Sequence, residues 1–303
     1  MTRGVVLHGT GGAWHVRCED GQSVVAALRG KVKHGSKSKL AVGDEVMMKH
    51  EAHGSEWSIS EVVPRRSQLS RKTPGRQRGE RIIAANVDQV VVVFALRQPE
   101  PHVAMLDRFL VIAEANALAG RVVVNKVDLA DESEANRLFG VYGTIGYPLH
   151  ITSIRSGKGL TGLREQLHGR TSVVTGPSGV GKSSLMNALY PGLGLRVGEI
   201  SASVNKGRHT TVGAFLHPLP DGGFVVDTPG LREIGLWGVP SRGLDSCFPE
   251  FRALRDECRF ADCSHLVEPE CAVREALACG KVDATRYASY AKLVEETEEA
   301  EKY

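Results

Sequence analysis

The string Gly176-Pro177-Ser178-Gly179-Val180-Gly181-Lys182-Ser183 has the form G-x-x-x-x-G-K-S, and residues of these types at this spacing can hold a polyphosphate. Backbone N–H groups wrapped tightly by glycines, with a helix start behind them, converge on phosphate oxygens. Lys182 would reach the β- and γ-phosphates, and the Ser183 hydroxyl would ligate Mg²⁺. Residues 172–175 read as a strand in front of this string, and Ser184–Leu189 as the helix behind it, which is the context the motif requires. A second string, Asn125-Lys126-Val127-Asp128, ends in a carboxylate able to accept hydrogen bonds from the ring N–H and exocyclic amine of guanine. Adenine offers neither donor pattern, so a buried Asp128 would be left unpaired by it. Asn125 and Lys126 would brace the loops around the base. Thr152-Ser153, just after another strand, would support the base with backbone N–H groups.

A third string, Asp227-Thr228-Pro229-Gly230, fits a γ-phosphate sensor. Asp227 would hold Mg²⁺ through water, and the Gly230 N–H would face the phosphate. Lys206–Thr211 between loop and sensor is polar and contains Gly, like a mobile switch. One of Thr210 or Thr211 would complete the Mg²⁺ shell. Position 231 is Leu, where Ras-like enzymes carry a water-orienting Gln. Hydrolysis then needs a polar group from elsewhere, and His209 is the candidate catalytic residue.

Near the C-terminus, Cys258-x4-Cys263-x-His265-x5-Cys271 supplies three thiols and one imidazole, a donor set suited to a closed tetrahedral Zn²⁺ site. Cys279 is a reserve ligand, and Cys18 and Cys247 read as isolated thiols.

These residues need a scaffold. The chain has 303 residues, enough for two or three domains, with 42% hydrophobic and 24% charged residues, as in a soluble globular protein. It contains no apolar run long enough to span a membrane and no signal peptide at its start, so a cytoplasmic, monomeric protein is expected. Residues 1–65 hold five short β-like runs with Gly-rich turns, which predicts a small barrel of the OB type. Residues 64–81 are basic and rich in Pro and Gly, and read as a linker or a phosphate-contacting arm. From residue 82, apolar runs such as Gln89–Leu96 and Arg121–Val124 alternate with helical patterns, including Met105, Leu106, Phe109, Leu110, Ile112 and Ala113. That predicts a doubly wound α/β sheet with ligand groups at the strands' carboxyl ends. The expected organisation is a barrel over 1–66, a basic linker over 67–81, a nucleotide-binding domain over 82–240 and a zinc domain over 241–303. The last segment ends in an acidic, solvated helix over 295–301. Charge follows a gradient: residues 1–81 hold 15 Lys/Arg against 8 Asp/Glu, and residues 241–303 hold 9 against 14, although the net charge is only +3. A basic front end is either a solvated face or a docking surface for a phosphate backbone.

In an ordinary GTPase the phosphate loop leads, the Asp-x-x-Gly segment follows and Asn-Lys-x-Asp comes last. Here Asn125–Asp128 comes first, so the chain reads as a circularly permuted GTPase. With the Arg208-His-Thr-Thr switch, the Ala84-Ala-Asn-Val-Asp-Gln89 lead-in and the Cys/His cluster, it resembles the family of small-ribosomal-subunit-dependent GTPases known as RsgA, YjeQ or YloQ over nearly its whole length. The family often has a third Thr where Val212 stands here. The resemblance implies an OB-fold, a permuted GTPase and a zinc domain. It implies binding to the small ribosomal subunit and its rRNA late in maturation, with GTP hydrolysis to GDP stimulated by that subunit and His209 as the catalytic histidine. Two other readings are a permuted GTPase serving the large subunit or another RNA particle and a non-catalytic RNA-binding module with a decayed nucleotide site. The front barrel and zinc cluster speak against the first, and intact Lys182, Ser183 and Asp227 against the second. The permuted order also leaves the sensor about 28 residues before Cys258, so that nucleotide state is expected to couple to the zinc domain.

Overall fold

The computed structural model describes residues 1–28, 40–50, 57–72, 80–195, 214–227 and 239–302. Strands β1 (Thr2–Thr10), β2 (Ala13–Cys18), β3 (Ser23–Leu28), β4 (Glu45–His50) and β5 (Trp57–Val62) close into a barrel in the order β1-β2-β3-β5-β4. Val6, Val16, Ala26, Val46, Met48 and Ile59 fill its interior. A register shift between Val6 and His8 turns Leu7 out of the barrel, where it joins Val42, Leu69 and Ala84 in a different core. A bulge re-aims one side chain in this way while the ladder continues on either side.

The described residues at both ends of the segment expected to be a linker form strands that pair with each other. β6 (Gln68–Lys72) and β7 (Glu80–Ala85) pair antiparallel, with Leu69 fully buried. Arg65, one of the charges that suggested solvent, instead forms a two-pronged pair with buried Asp44, Nε to Oδ1 at 2.6 Å and Nη2 to Oδ2 at 2.8 Å. Asn86, in the left-handed region at φ 52°, donates to Gly43 O and accepts from Arg66 N, each at 2.9 Å. These contacts fasten the barrel to the start of the central sheet.

The central unit comprises β8 (Gln89–Ala95), α1 (Val103–Ala115), β9 (Ala119–Asn125), α2 (Glu132–Thr144), β10 (Leu149–Ile151), α3 (Leu160–Leu167), β11 (Thr171–Thr175), α4 (Lys182–Leu189), β12 (Phe215–Pro218) and β13 (Phe224–Asp227). The sheet order is β10-β9-β8-β11-β13-β12, and every pairing is parallel except β12 with β13. β8 is buried along its whole length, as a strand covered on both faces must be. α1 buries Leu106, Phe109, Leu110, Ile112 and Ala113, but Met105 is exposed and Asp107 takes a buried place. That carboxylate has a partner from the far end of the chain.

Single helical turns at Leu244–Cys247, Pro249–Phe251 and Arg255–Glu257 lead to α5 (Ala272–Ala278) and α6 (Ala284–Glu301), and this C-terminal layer packs on α1. Phe248, Phe251, Tyr290 and Leu293 belong to the same continuous core as Leu106 and Phe109. Arg286 of α6, 1% exposed, donates from Nη1 to Asp107 Oδ1 at 2.7 Å and holds Glu250 with Nε and Nη2 at 2.7 and 3.1 Å. Its guanidinium lies over the Phe248 ring at 4.6 Å, and Tyr142 of α2 donates to the same Asp107 oxygen at 2.6 Å. The acidic tail is also engaged. Glu296 pairs with Arg108 of α1, and Glu301 accepts from Ser241 N and Oγ at 2.9 and 2.7 Å. A basic side chain for Glu296 and a serine for Glu301 supply the partners that composition alone does not reveal.

At the amino ends of the strands, Arg121 Nη1 lies 2.8 Å from His150 Nε2, and Arg121 Nε donates to Gln89 Oε1 at 3.1 Å. Burial first, and then the adjacent Arg121, pushes the His150 ring down to about 4. An unfolded chain protonates this histidine near 6.5, so acidification between those two values favours unfolding. Stability should fall as pH drops from 6.5 to 4, by on the order of 1–2 kcal/mol from this ring after discounting for partial exposure. Urea midpoints at pH 7 and pH 4.5 test it: His150→Gln should flatten the loss, and an unchanged slope would refute the assignment. Among the described residues, no helix is long and apolar enough to cross a membrane.

Candidate nucleotide and metal sites

Parallel pairing brings the carboxyl ends of β8, β9, β10, β11 and β13 to one edge, and the described residues of the three nucleotide strings sit there. β11 delivers Gly176, which adopts φ +132°; a Cβ on it would stand 2.0 Å from Val93 O of β8. Only glycine allows so close an approach in that backbone region. Gly179 and Gly181 are also left-handed, and a Cβ at Gly181 would meet Asn125 Nδ2 at 2.7 Å. Pro177 and Ser178 span the turn, Val180 is buried beneath it, and Lys182 opens α4 with Ser184 in its first turn. Lys182 Nζ donates to Gly176 O at 2.8 Å and Pro177 O at 2.6 Å, holding its charge at the mouth of the loop. The Ser183 hydroxyl is buried without a hydrogen-bond partner among the described residues. An orphaned buried hydroxyl is costly unless something polar completes it, and a hard cation is a fitting complement.

The Asn125–Asp128 string is welded to this loop. Asn125, at the end of β9 and fully buried, donates from Nδ2 to Val180 O at 3.0 Å and faces Thr152 Oγ1 at 3.4 Å. Lys126, left-handed at φ 59°, donates to Gly179 O at 2.7 Å and to Gln98 O. Val127 N donates to Thr152 O at 3.3 Å. Gln98, on the β8–α1 loop, carries no motif, and its part was not legible in the sequence.

Two expectations change here. Asp128 is exposed at the rim and not buried as expected. The amides of Thr152 and Ser153 do not face a base: they donate to Val124 O at 2.8 Å and Lys158 O at 3.1 Å. The Thr152 amide continues the pairing of β10 with β9, and the Ser153 amide closes a turn onto Lys158, so both groups are already engaged. Support comes from the Ser153 side chain, whose hydroxyl donates to Asp128 Oδ1 at 2.5 Å and accepts from Ser156 N at 3.2 Å. Asp227 ends β13, the strand beside β11. His209, Thr210, Thr211 and Gly230 lie outside the described residues.

The second constellation is compact. The ligand atoms of Cys258, Cys263, His265 and Cys271 all lie within 4.8 Å of one another. Cys258 Sγ and Cys271 Sγ are 4.0 Å apart, and His265 Nδ1 lies 3.5 and 3.4 Å from them. A tetrahedron with metal–sulfur bonds of about 2.3 Å and metal–nitrogen bonds of about 2.0 Å has edges of roughly 3.5–3.8 Å, so these spacings accommodate one ion. Burial, with the neighbouring thiols Cys271 and Cys258 adding to it, pushes Cys263 up to about 12. Thiolates crowded like this need a cation. His265 holds a left-handed φ of 60°, pinned by Tyr287 OH to its own carbonyl and by Tyr290 OH to Ser264 O, both at 2.7 Å. Glu268 shapes the same turn: burial raises its carboxyl, but the backbone N–H and hydroxyl of Ser264, with the backbone N–H groups of Glu268 itself and Val267, outweigh that and hold it at about 2. Cys279 is exposed and outside the cluster, and Cys18 and Cys247 are buried singly.

Residues 62–237 match the sequence model of the RsgA GTPase family. The small ribosomal subunit biogenesis GTPase RsgA of Gemmatimonas aurantiaca is 57% identical over 298 residues, spanning 97% of both chains. Its counterpart in Pseudomonas aeruginosa is 43% identical, over 91% of this chain and 79% of that one. Among solved structures, YjeQ of Thermotoga maritima superposes with a TM-score of 0.80 at 36% identity, covering 98% of each chain. YloQ, a circularly permuted GTPase, does so with 0.77 at 28% identity, over 99% of this chain and 96% of its own.

Proposed function

The chain belongs to the RsgA GTPase family, and from that premise we propose that it hydrolyses GTP to GDP and phosphate as a late maturation factor of the small ribosomal subunit. The observation that carries the nucleotide half is the joining of Asn125 and Lys126 to the phosphate loop through Val180 O and Gly179 O. Base reading and phosphate holding are thereby one rigid unit. The molecule would act as a monomer in the cytoplasm, touching rRNA through the barrel and the Cys/His domain.

In this reading Asp128 accepts the guanine N–H groups while Ser153 holds its carboxylate. Asn125 and Lys126, with Val127 packed beneath, fix the loop between base and phosphates. Gly176 to Ser184 wrap the phosphates, and Lys182 balances their charge. Mg²⁺ would be held by Ser183, by Thr210 or Thr211 and, through water, by Asp227, and would neutralise charge on the phosphates. Gly230 would register the γ-phosphate. His209 would orient or deprotonate the attacking water, because Leu231 has no group to do so. Zn²⁺ would be held by Cys258, Cys263, His265 and Cys271 as a structural ion.

A GTPase assay with purified small and large subunits tests this. Small subunits should stimulate phosphate release by the wild-type chain, and His209→Ala should lose roughly 10²–10⁴-fold of the stimulated rate. Stimulation by the large subunit alone would overturn the choice of partner, and a fully active His209→Ala variant would overturn the role of the histidine.

A further inference from the structure

Asp245 lies in the turn Leu244–Cys247, thirteen residues before the first thiol of the Cys/His cluster, and no motif spacing selects it. Its Oδ2 stands 3.6 Å from Nε2 of His265. The other ring nitrogen, Nδ1, faces Cys258 Sγ and Cys271 Sγ. The imidazole is therefore divided, with one nitrogen toward the would-be ion and the other toward a carboxylate. His265 is 2% exposed, and its Nε2 is buried with no hydrogen-bond partner among the described residues. A histidine that ligates through Nδ1 must carry its proton on Nε2, and a buried N–H left unpaired costs about 1–3 kcal/mol. Asp245 is the acceptor that faces it. At 3.6 Å the approach is not yet a hydrogen bond, and a shift of roughly 0.7 Å would complete one.

We propose that Asp245 is the positioning carboxylate for the metal-bound His265, and that it links metal occupancy to the turn that docks the C-terminal layer on α1. Carboxylates in this position set the tautomer and aim of a ligating imidazole. Three other contacts favour the role. Arg255 Nε stands 3.4 Å from the same Oδ2, which keeps the carboxylate charged and anchored. Leu244, beside it, is fully buried, and the turn packs against α1. Phe251 and Tyr290 flank the His265 ring at 6.0 and 6.2 Å between centroids, so packing leaves the ring little freedom to turn away. Losing the metal would free His265, release Asp245 and loosen the turn carrying Leu244.

The inference rests on the metal reading of the cluster, and the test separates the two. Metal content of the full purified chain is measured first, followed by chelator competition for Zn²⁺ in wild type, Asp245→Asn and Asp245→Ala. Wild type should carry about one zinc per chain. Asp245→Ala should bind zinc roughly 10–100-fold more weakly, with Asp245→Asn between the two because it keeps an acceptor but loses the charge. Co²⁺-loaded variants should retain thiolate-to-metal absorption, since the four ligands are unchanged. A metal-free, folded wild type would overturn the metal reading itself. A zinc-bearing wild type whose affinity Asp245→Ala matches would overturn the positioning role alone. Variants that stay unfolded at saturating zinc would also overturn it, because Asp245 would then serve the scaffold and not the ion.

Discussion

Asp128→Asn is expected to lose GTP and gain xanthosine triphosphate. The Ser153 hydroxyl occupies one lone pair of Asp128 Oδ1 and turns the carboxylate edge outward. The remaining acceptor positions suit the two N–H donors of guanine. Hydrogen bonds to a charged acceptor contribute about 1.5–3 kcal/mol each, so losing two should weaken GTP by roughly 10²- to 10⁴-fold. An amide at this position can donate to the carbonyl that xanthine carries in place of the guanine amine. Because Asp128 is exposed before nucleotide arrives, the substitution should leave folding almost untouched. Equilibrium binding of both nucleotides measures the switch, and unchanged GTP preference would end the guanine assignment. Ser153→Ala should give a smaller loss for both nucleotides, since it loosens the carboxylate without changing its pattern.

Arg286→Ala should destabilise the chain by about 3–5 kcal/mol, as removal of one partner of a buried ion pair usually does. It strands Asp107 and Glu250, both buried, and strips the Phe248 and Tyr142 rings of the cation above them. Arg286→Met should not rescue it, because volume is restored but two carboxylates remain unpaired. Adding Asp107→Asn and Glu250→Gln to Arg286→Met should recover a substantial part. Denaturant unfolding of the set decides the matter. A loss below about 0.5 kcal/mol for Arg286→Ala would mean that water already reaches these groups, contrary to their burial.

The fold was legible wherever one physical signal dominated a short window. Valine runs marked β8 and β9, Gly-punctuated alternation marked the barrel, and the Cys/His spacing marked a cluster that closes as expected. The features that escaped depend on partners far away in the chain. Asp107 looks like a solvent-facing helix residue until Arg286, 179 positions later, is placed beside it. Residues 64–81 look like a linker because local composition cannot show that Leu69 will be covered or that Arg65 will find Asp44. The amides of Thr152 and Ser153 look free for a related reason: the neighbouring strand takes the first and a returning turn at Lys158 takes the second. Ser153, Gln98 and Asp245 act through a second residue, and a motif read along the chain does not contain such relations.

Permutation opens a covalent ring. In the ordinary order the sensor strand, here β13, would run on toward the strand that is here β8; instead β13 leads into the C-terminal layer and β8 arrives from the barrel. The layer then returns to clasp α1, the helix after β8, through Arg286, Asp107 and a shared apolar core. The connection cut in the backbone is remade as a buckle of side chains. A chain ending near residue 240 would therefore be an unfinished GTPase, not a smaller one, with a buried carboxylate and an apolar helix face laid open.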